Sequence, residues 1–166
     1  MSAERAVPVR VLLAVGGREF ERRLTHELPA AGLQIAARCL DGPSLLDRAR
    51  EPGIDVVLAA ADLHRLDDTT LVALRERRRP VVLLVADLSD TERLAALASV
   101  VPAAASSAVI ATAVLQAEAN GPGYAGFSGI IPNAEERDEH RERGRVIAVA
   151  SGKGAPGKTT LALAIA

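Results

Sequence analysis

The chain has 166 residues and a mass of 17.3 kDa, room for one domain of ordinary size and a remainder. Apolar residues at 49% and charged residues at 25% exclude a chain disordered throughout. Twenty basic residues against twenty-one acidic ones, with aromatics at only 2%, argue against a nucleic-acid partner, which would need a basic face and rings on which bases stack.

Cys39 is the only cysteine, so no internal disulfide forms and a reducing cytoplasm is the expected compartment. The opening MSAERAVPVR lacks the basic, apolar, small-residue order of a signal peptide. Apolar runs of about five to eight residues fall far short of the ~20 that a membrane helix needs.

The first ~115 residues alternate between two hydrophobic periods. Arg10–Val15 is a short apolar run closed by Gly16 and Gly17, and reads as a buried strand. From Glu19 to Ala30, Phe20, Leu24 and Leu28 recur at helical spacing, with Pro29 and Gly32 near the end. Leu33–Leu40 is a second strand. Gly42 and Pro43 open a helix to about Arg50, with Gly53 beyond it. Ile54–Ala60 is a third strand, followed by a helix from Asp68 to Arg78 that stops before Pro80. Val81–Ala86 is a fourth strand. Ser89 and Glu92 form a capping box for a helix to Ala98. Val100–Ala104 is a short fifth strand, and Ser106 or Ser107 caps a last helix to about Ala119.

Five β-α repeats with continuous apolar strands imply an α/β fold, a parallel sheet covered on both faces. The economical arrangement is a doubly wound five-stranded sheet of order 2-1-3-4-5 over residues 1–117. Residues 118–144 break the pattern. GPGYAGFSG and then NAEERDEHRERGR, a mixed charge run, read as a linker, with a solvated helical turn as an equal alternative for the charge run.

Order resumes at 145–166. VIAVA (146–150) is a strand, LALAIA (161–166) begins a helix, and SGKGAPGKTT joins them. Gly152 to Thr159 fits G-x-x-x-x-G-K-[ST], a pattern that arises by chance in about 1% of chains this long. The residue types suit polyphosphate. Glycines bend the backbone so that successive N–H groups point inward, and the following helix adds the positive end of its dipole. Lys158 supplies a point charge to the β- and γ-phosphates, and the Thr159 hydroxyl is a magnesium ligand. Eighteen of the twenty basic residues are arginines, and the only two lysines are Lys153 and Lys158, both in this loop.

KGAPGKTT at 153–160 resembles the deviant phosphate loop of the ParA/MinD superfamily, over about residues 145–166. The resemblance implies an ATPase using ATP and Mg²⁺, with Gly152, Lys153, Gly154, Ala155, Pro156, Gly157, Lys158, Thr159 and Thr160 at the nucleotide. It implies catalytic roles for Lys153 and Lys158, and a homodimer in which Lys153 reaches the partner's phosphates. Two residues depart from the family pattern: Ala155 adds a Cβ where glycine is usual, and Pro156 has no N–H. The downstream acidic residues of such a domain are not in the chain, which reads as a fragment with little nucleotide binding of its own.

The first domain resembles a response-regulator receiver. A phosphorylated receiver needs an acidic cluster after strand 1, an Asp ending strand 3, a hydroxyl after strand 4 and a Lys after strand 5. Aligned on the strands, this chain has Val15, Gly16 and Gly17, then Ala60, then Val85, and no Lys before Lys153. Asp62 falls two residues late. The expectation is a protein-interaction module that takes up no phosphoryl group. A receiver-like domain, a linker and a deviant phosphate loop together resemble the CpaE/TadZ type of ATPase. That resemblance implies a cytoplasmic protein at the membrane or cell pole that positions a pilus or secretion machine through a protein partner. The alternative is a scaffold whose loop no longer hydrolyses ATP.

Remaining candidates have plainer explanations. Arg75, Arg77, Arg78 and Arg79 favour a helix C-terminus through its dipole, with docking of an acidic partner as the minority case. His26, His64 and His140 are too scattered for a metal site. Cys39 belongs in the core, and Asp67 and Asp68 at a helix cap. Val109, Ala113 and Leu115 form an apolar face of the last helix that is either core or a dimer surface, with the core favoured.

Overall fold

A computed structural model describes residues 7–121 except 88 and 90. Five strands lie parallel: β1 (Val9–Ala14), β2 (Leu33–Arg38), β3 (Val56–Ala60), β4 (Val81–Val85) and β5 (Ser99–Pro102). Their order across the sheet is β2-β1-β3-β4-β5, the doubly wound order expected from the repeats. Parallel strands need a return crossover, and a helix supplies each one. The helices are α1 (Arg18–Glu27), α2 (Gly42–Arg48), α3 (Asp68–Glu76), α4 (Thr91–Ala95) and α5 (Ser107–Asn120).

Strand periodicity divides the core into two layers. Val11, Leu13, Val56, Leu58, Val82, Leu84 and Val101 point to the side where α1, the turn that follows it and α5 bring Leu24, Leu28, Ile110 and Val114. Leu12, Val57, Leu83 and Val100 point to the other, against Leu45, Leu71, Leu74 and Leu94 of α2, α3 and α4. Each fully buried Leu contributes about 1.5–3 kcal/mol of transfer free energy. β3 and β4 are buried at every position, as expected for strands covered twice. β2 is an edge strand and shows the alternation of a half-covered one.

Helix ends follow their caps. α2 starts one residue after Asp41, whose carboxylate accepts from the Ser44 N–H at 2.8 Å, a cap the Gly42-Pro43 reading passes over. Of the two serines before α5, Ser106 is the cap. The Phe20, Leu24, Leu28 face does meet the core, but the α-helix stops at Glu27 and tightens into a 3₁₀ turn over Leu28–Ala31, with Pro29 at its start. The fourth helix is only five residues, beginning at Thr91. The Ser89 N–H donates to Asp87 at 2.9 Å, so the turn is built on Asp87 and the Ser89–Glu92 box does not start the helix. In α5 Ala113 is buried and Val109 packs on the core, but Leu115 is 38% exposed, so the three do not share one face.

Gly42 fixes how α2 meets the β3–α3 loop. Its N–H donates to the His64 carbonyl at 2.9 Å, and a Cβ there would stand 2.1 Å from the Arg65 carbonyl oxygen. Only glycine permits that approach.

Candidate functional site

In a doubly wound sheet, ligands are taken at the C-terminal ends of the strands, where the order reverses, here between β1 and β3. Those ends are apolar. β1 stops at Ala14 and leads into buried Val15 and then exposed Gly16 and Gly17. β3 ends on Ala60, and β4 ends on buried Val85. The strand alignment made from sequence therefore holds in space: Ala60 and Val85 are the last residues of adjacent paired strands. None of these side chains offers an oxygen to a divalent cation or a nucleophile to a phosphoryl group, so the switch point does not fit a magnesium ion.

Acidic side chains do gather nearby, one loop further on. Asp62, Asp67, Asp68, Asp87 and Arg93 line an open cleft of about 240 Å³ between α3 and α4, floored by Leu83 and Val85. Local contacts account for three of the four carboxylates. Asp67 caps α3, accepting from the Thr70 N–H at 2.8 Å and its hydroxyl at 2.7 Å. Asp87 accepts from Ser89. Asp68 pairs with Arg93 across to α4, so it is an ion-pair partner and not a cap. Hydrogen bonds from Thr70, side chain first and then main chain, hold Asp67 below the usual carboxylate range, and the Ser89 N–H and hydroxyl do the same for Asp87. Such groups stay ionised and are poor general acids. Among the described residues no three His, Cys, Asp or Glu side chains converge as a metal site.

Cys39 lies in the core beyond β2, and burial pushes its thiol up, so it is a packing residue there. The arginine knot does not sit on its own helix dipole alone. Arg77 donates to the Leu46 carbonyl at 2.6 Å. Arg79 reaches the carbonyls of Ala49 at 2.9 Å, Glu51 at 3.2 Å and Ile54. These arginines tie the end of α3 to the end of α2, a role that no local pattern reveals. The phosphate-loop positions Gly152, Lys153, Gly154, Ala155, Pro156, Gly157, Lys158, Thr159 and Thr160 lie outside the described residues, as does His140.

No protein-family model matches the chain, and no curated protein matches it. Solved structures do. The signal receiver domain of the response regulator NarL from Mycobacterium tuberculosis is 18% identical, with 68% of this chain and 97% of that one covered at a TM-score of 0.61. A LuxR-family two-component response regulator from Aurantimonas sp. SI85-9A1 is 21% identical over 78% of this chain and 98% of that one, TM-score 0.60. The receiver domain of sensor histidine kinase PA1611 from Pseudomonas aeruginosa, 18% identical, covers 68% and 98%, TM-score 0.59; its structure holds a magnesium ion in the active-site cleft. Residues 7–121 thus have the receiver fold, a flavodoxin-like doubly wound sheet. No helix among the described residues is long and apolar enough to cross a membrane.

Proposed function

We propose that this chain belongs to an ATP-binding spatial regulator of a pilus or secretion apparatus, whose receiver-like domain recruits a protein partner without being phosphorylated. One pairing carries the reading: a receiver fold with Ala60, Val85 and Val15 where phosphoryl chemistry would sit, in a chain whose only lysines lie within a phosphate-loop pattern. A receiver that has lost its chemistry but kept its sheet and helices retains surfaces for binding.

In this reading the backbone of residues 152–160 cradles the phosphates, Lys158 neutralises the β and γ groups, and the Thr159 hydroxyl is a ligand of Mg²⁺. Lys153 reaches the nucleotide of a second copy, which makes dimerisation dependent on ATP. The protein works at the cytoplasmic side of the membrane or at a cell pole.

Titration of the whole protein with a fluorescent ATP analogue in magnesium tests it. Saturable binding that Lys158→Ala abolishes is the expected result; equal affinity in that variant refutes the assignment of Lys158. A second reading, a scaffold that binds ATP without turnover, draws on Pro156 and Ala155. The first has no N–H for a phosphate oxygen, and the second puts a Cβ into the loop. It predicts binding with no phosphate release, whereas release lost in Lys153→Ala selects the ATPase.

A further inference from the structure

α3 ends in a complete Schellman turn. The Arg79 N–H donates to the Leu74 carbonyl at 3.1 Å, and the Arg78 N–H to the Arg75 carbonyl at 2.9 Å. The residue between these bonds must adopt the left-handed conformation, and Arg78 does so at φ +58. Glycine is the usual occupant because a Cβ is penalised there. Gly32 closes the 3₁₀ turn and Gly121 closes α5, both at positive φ, while Arg65, in the β3–α3 loop and at no helix end, is the other non-glycine described at φ +58. At the end of α3 an arginine is kept in the strained position.

The charge around it is unusual as well. Arg10, Arg38, Arg48, Arg50 and Arg93 each pair with a carboxylate. Among the described residues Arg75, Arg77, Arg78 and Arg79 form no such pair, and neither do Arg18, Arg22, Arg23 and Arg65, but only the first four crowd into five consecutive positions. Arg77 and Arg79 are committed to main-chain carbonyls, which are uncharged, and this holds the turn in place. Arg75 touches only the Ala96 carbonyl at 3.4 Å, and Arg75 and Arg78 are exposed. Two acids at the end of α2 are already occupied, Glu51 by Arg48 and Asp47 by Arg50. Four guanidinium groups within five residues thus have no carboxylate ion pair among the described residues, on a turn tied to the end of α2 through Arg77 and Arg79.

We propose that the C-terminal turn of α3 is a docking surface for an acidic polypeptide segment, whose carboxylates pair with Arg75 and Arg78. The inference rests on the domain being an interaction module and names the chemistry of its partner. A guanidinium fork matches a carboxylate in two parallel hydrogen bonds. Val72, 41% exposed one turn before Arg75, offers an apolar contact beside the cations. An anionic bilayer fits less well: its broad plane would meet the whole exposed side of α3, Asp68 and Glu76 included, whereas a narrow segment can contact Arg75 and Arg78 alone.

Fluorescence anisotropy with the full chain tests this, using a labelled octapeptide of alternating Glu and Asp at low and then moderate salt. Binding is expected to weaken with salt and to fall about threefold in Arg75→Gln, about threefold in Arg78→Gly and about tenfold in the double variant. Arg22→Gln, on exposed α1 surface across the sheet, should bind like the parent. The informative variant is Arg78→Gly, because relief of backbone strain should raise its melting temperature by a few degrees while its binding weakens. A merely structural arginine would not give opposite signs. Affinity unchanged in Arg75→Gln and Arg78→Gly, an equal loss in Arg22→Gln, or a lower melting temperature for Arg78→Gly would each overturn the proposal. So would binding to phosphatidylglycerol vesicles but not to the peptide. The nucleotide titration of Lys158 reads a separate site, so the two readings fail independently.

Discussion

At the end of the sheet where the strands stop, charge is spent on local structure. Asp41 and Asp67 cap helices, Asp87 ties a turn, and Asp68 is matched by Arg93. At the opposite end, where β3 and β4 begin, arginines hold the framework through neutral carbonyls of Leu46, Ala49, Glu51 and Ile54 and keep their charge. Receiver folds do their chemistry at the first end. Here that end has small apolar residues at the strand tips and capping carboxylates around them, while uncompensated charge has collected at the second. A fold can therefore keep its architecture while the charge at the two ends of its sheet is arranged differently.

The largest effect is expected at the first end, from Gly42→Ala. The new Cβ meets the Arg65 carbonyl, which is main chain and cannot swing aside, so α2 or the β3–α3 loop must shift. A loss of about 2–3 kcal/mol in urea denaturation is the expected outcome; a loss under about 0.5 kcal/mol would mean the two segments are not in register. The matching change at the second end is Arg79→Lys. It keeps the charge but replaces a three-armed fork with a single ammonium, leaving carbonyls of Ala49, Glu51 and Ile54 with fewer donors. About 1–2 kcal/mol of stability should be lost. Full stability in the lysine variant would show that charge alone, without the fork, holds α2 to α3.

Much of the fold could be read before any coordinates, because its signals are local. Hydrophobic runs such as VVLLV and the Phe20, Leu24, Leu28 spacing report burial directly, and five of each element type lead to one sheet order. Strand ends were legible too, which is why Ala60 and Val85 could be placed at the receiver's reactive positions. What stayed hidden depends on contacts distant in sequence. Gly42 reads as a helix opener, and nothing nearby announces the Arg65 carbonyl pressed against it. Arg77 and Arg79 read as dipole partners of their own helix, yet their acceptors lie 31 and 25–30 residues earlier. The Ser89–Glu92 spacing is a valid box in isolation, but Asp87 competes for the Ser89 N–H and wins. Of the candidate site, the apolar ends of β1, β3 and β4 were legible in the strand runs; the phosphate-loop pattern at 152–160 is legible as a motif and lies outside the described residues.

The smallest expected effect concerns acid. Asp41, Asp67 and Asp87 all have carboxyls held below the ordinary value of 3.8, through hydrogen bonds from Ser44, Thr70 and Ser89 respectively. A carboxylate with a lowered folded pKa binds fewer protons folded than unfolded, so stability rises with pH across that window. The contribution is complete above the unfolded value and is lost as pH falls through the folded one. Urea midpoints should hold steady from about pH 7 to about pH 5 and then drop towards pH 3. Asp67→Asn separates capping from titration, since an amide oxygen still accepts from the Thr70 N–H but carries no proton equilibrium. Its midpoint should stay near the parent's at neutral pH and show a shallower acid limb. An unchanged acid limb would place the acid sensitivity elsewhere, and it would mean that this end of the sheet holds its carboxylates less firmly than the hydrogen bonds to Thr70 imply.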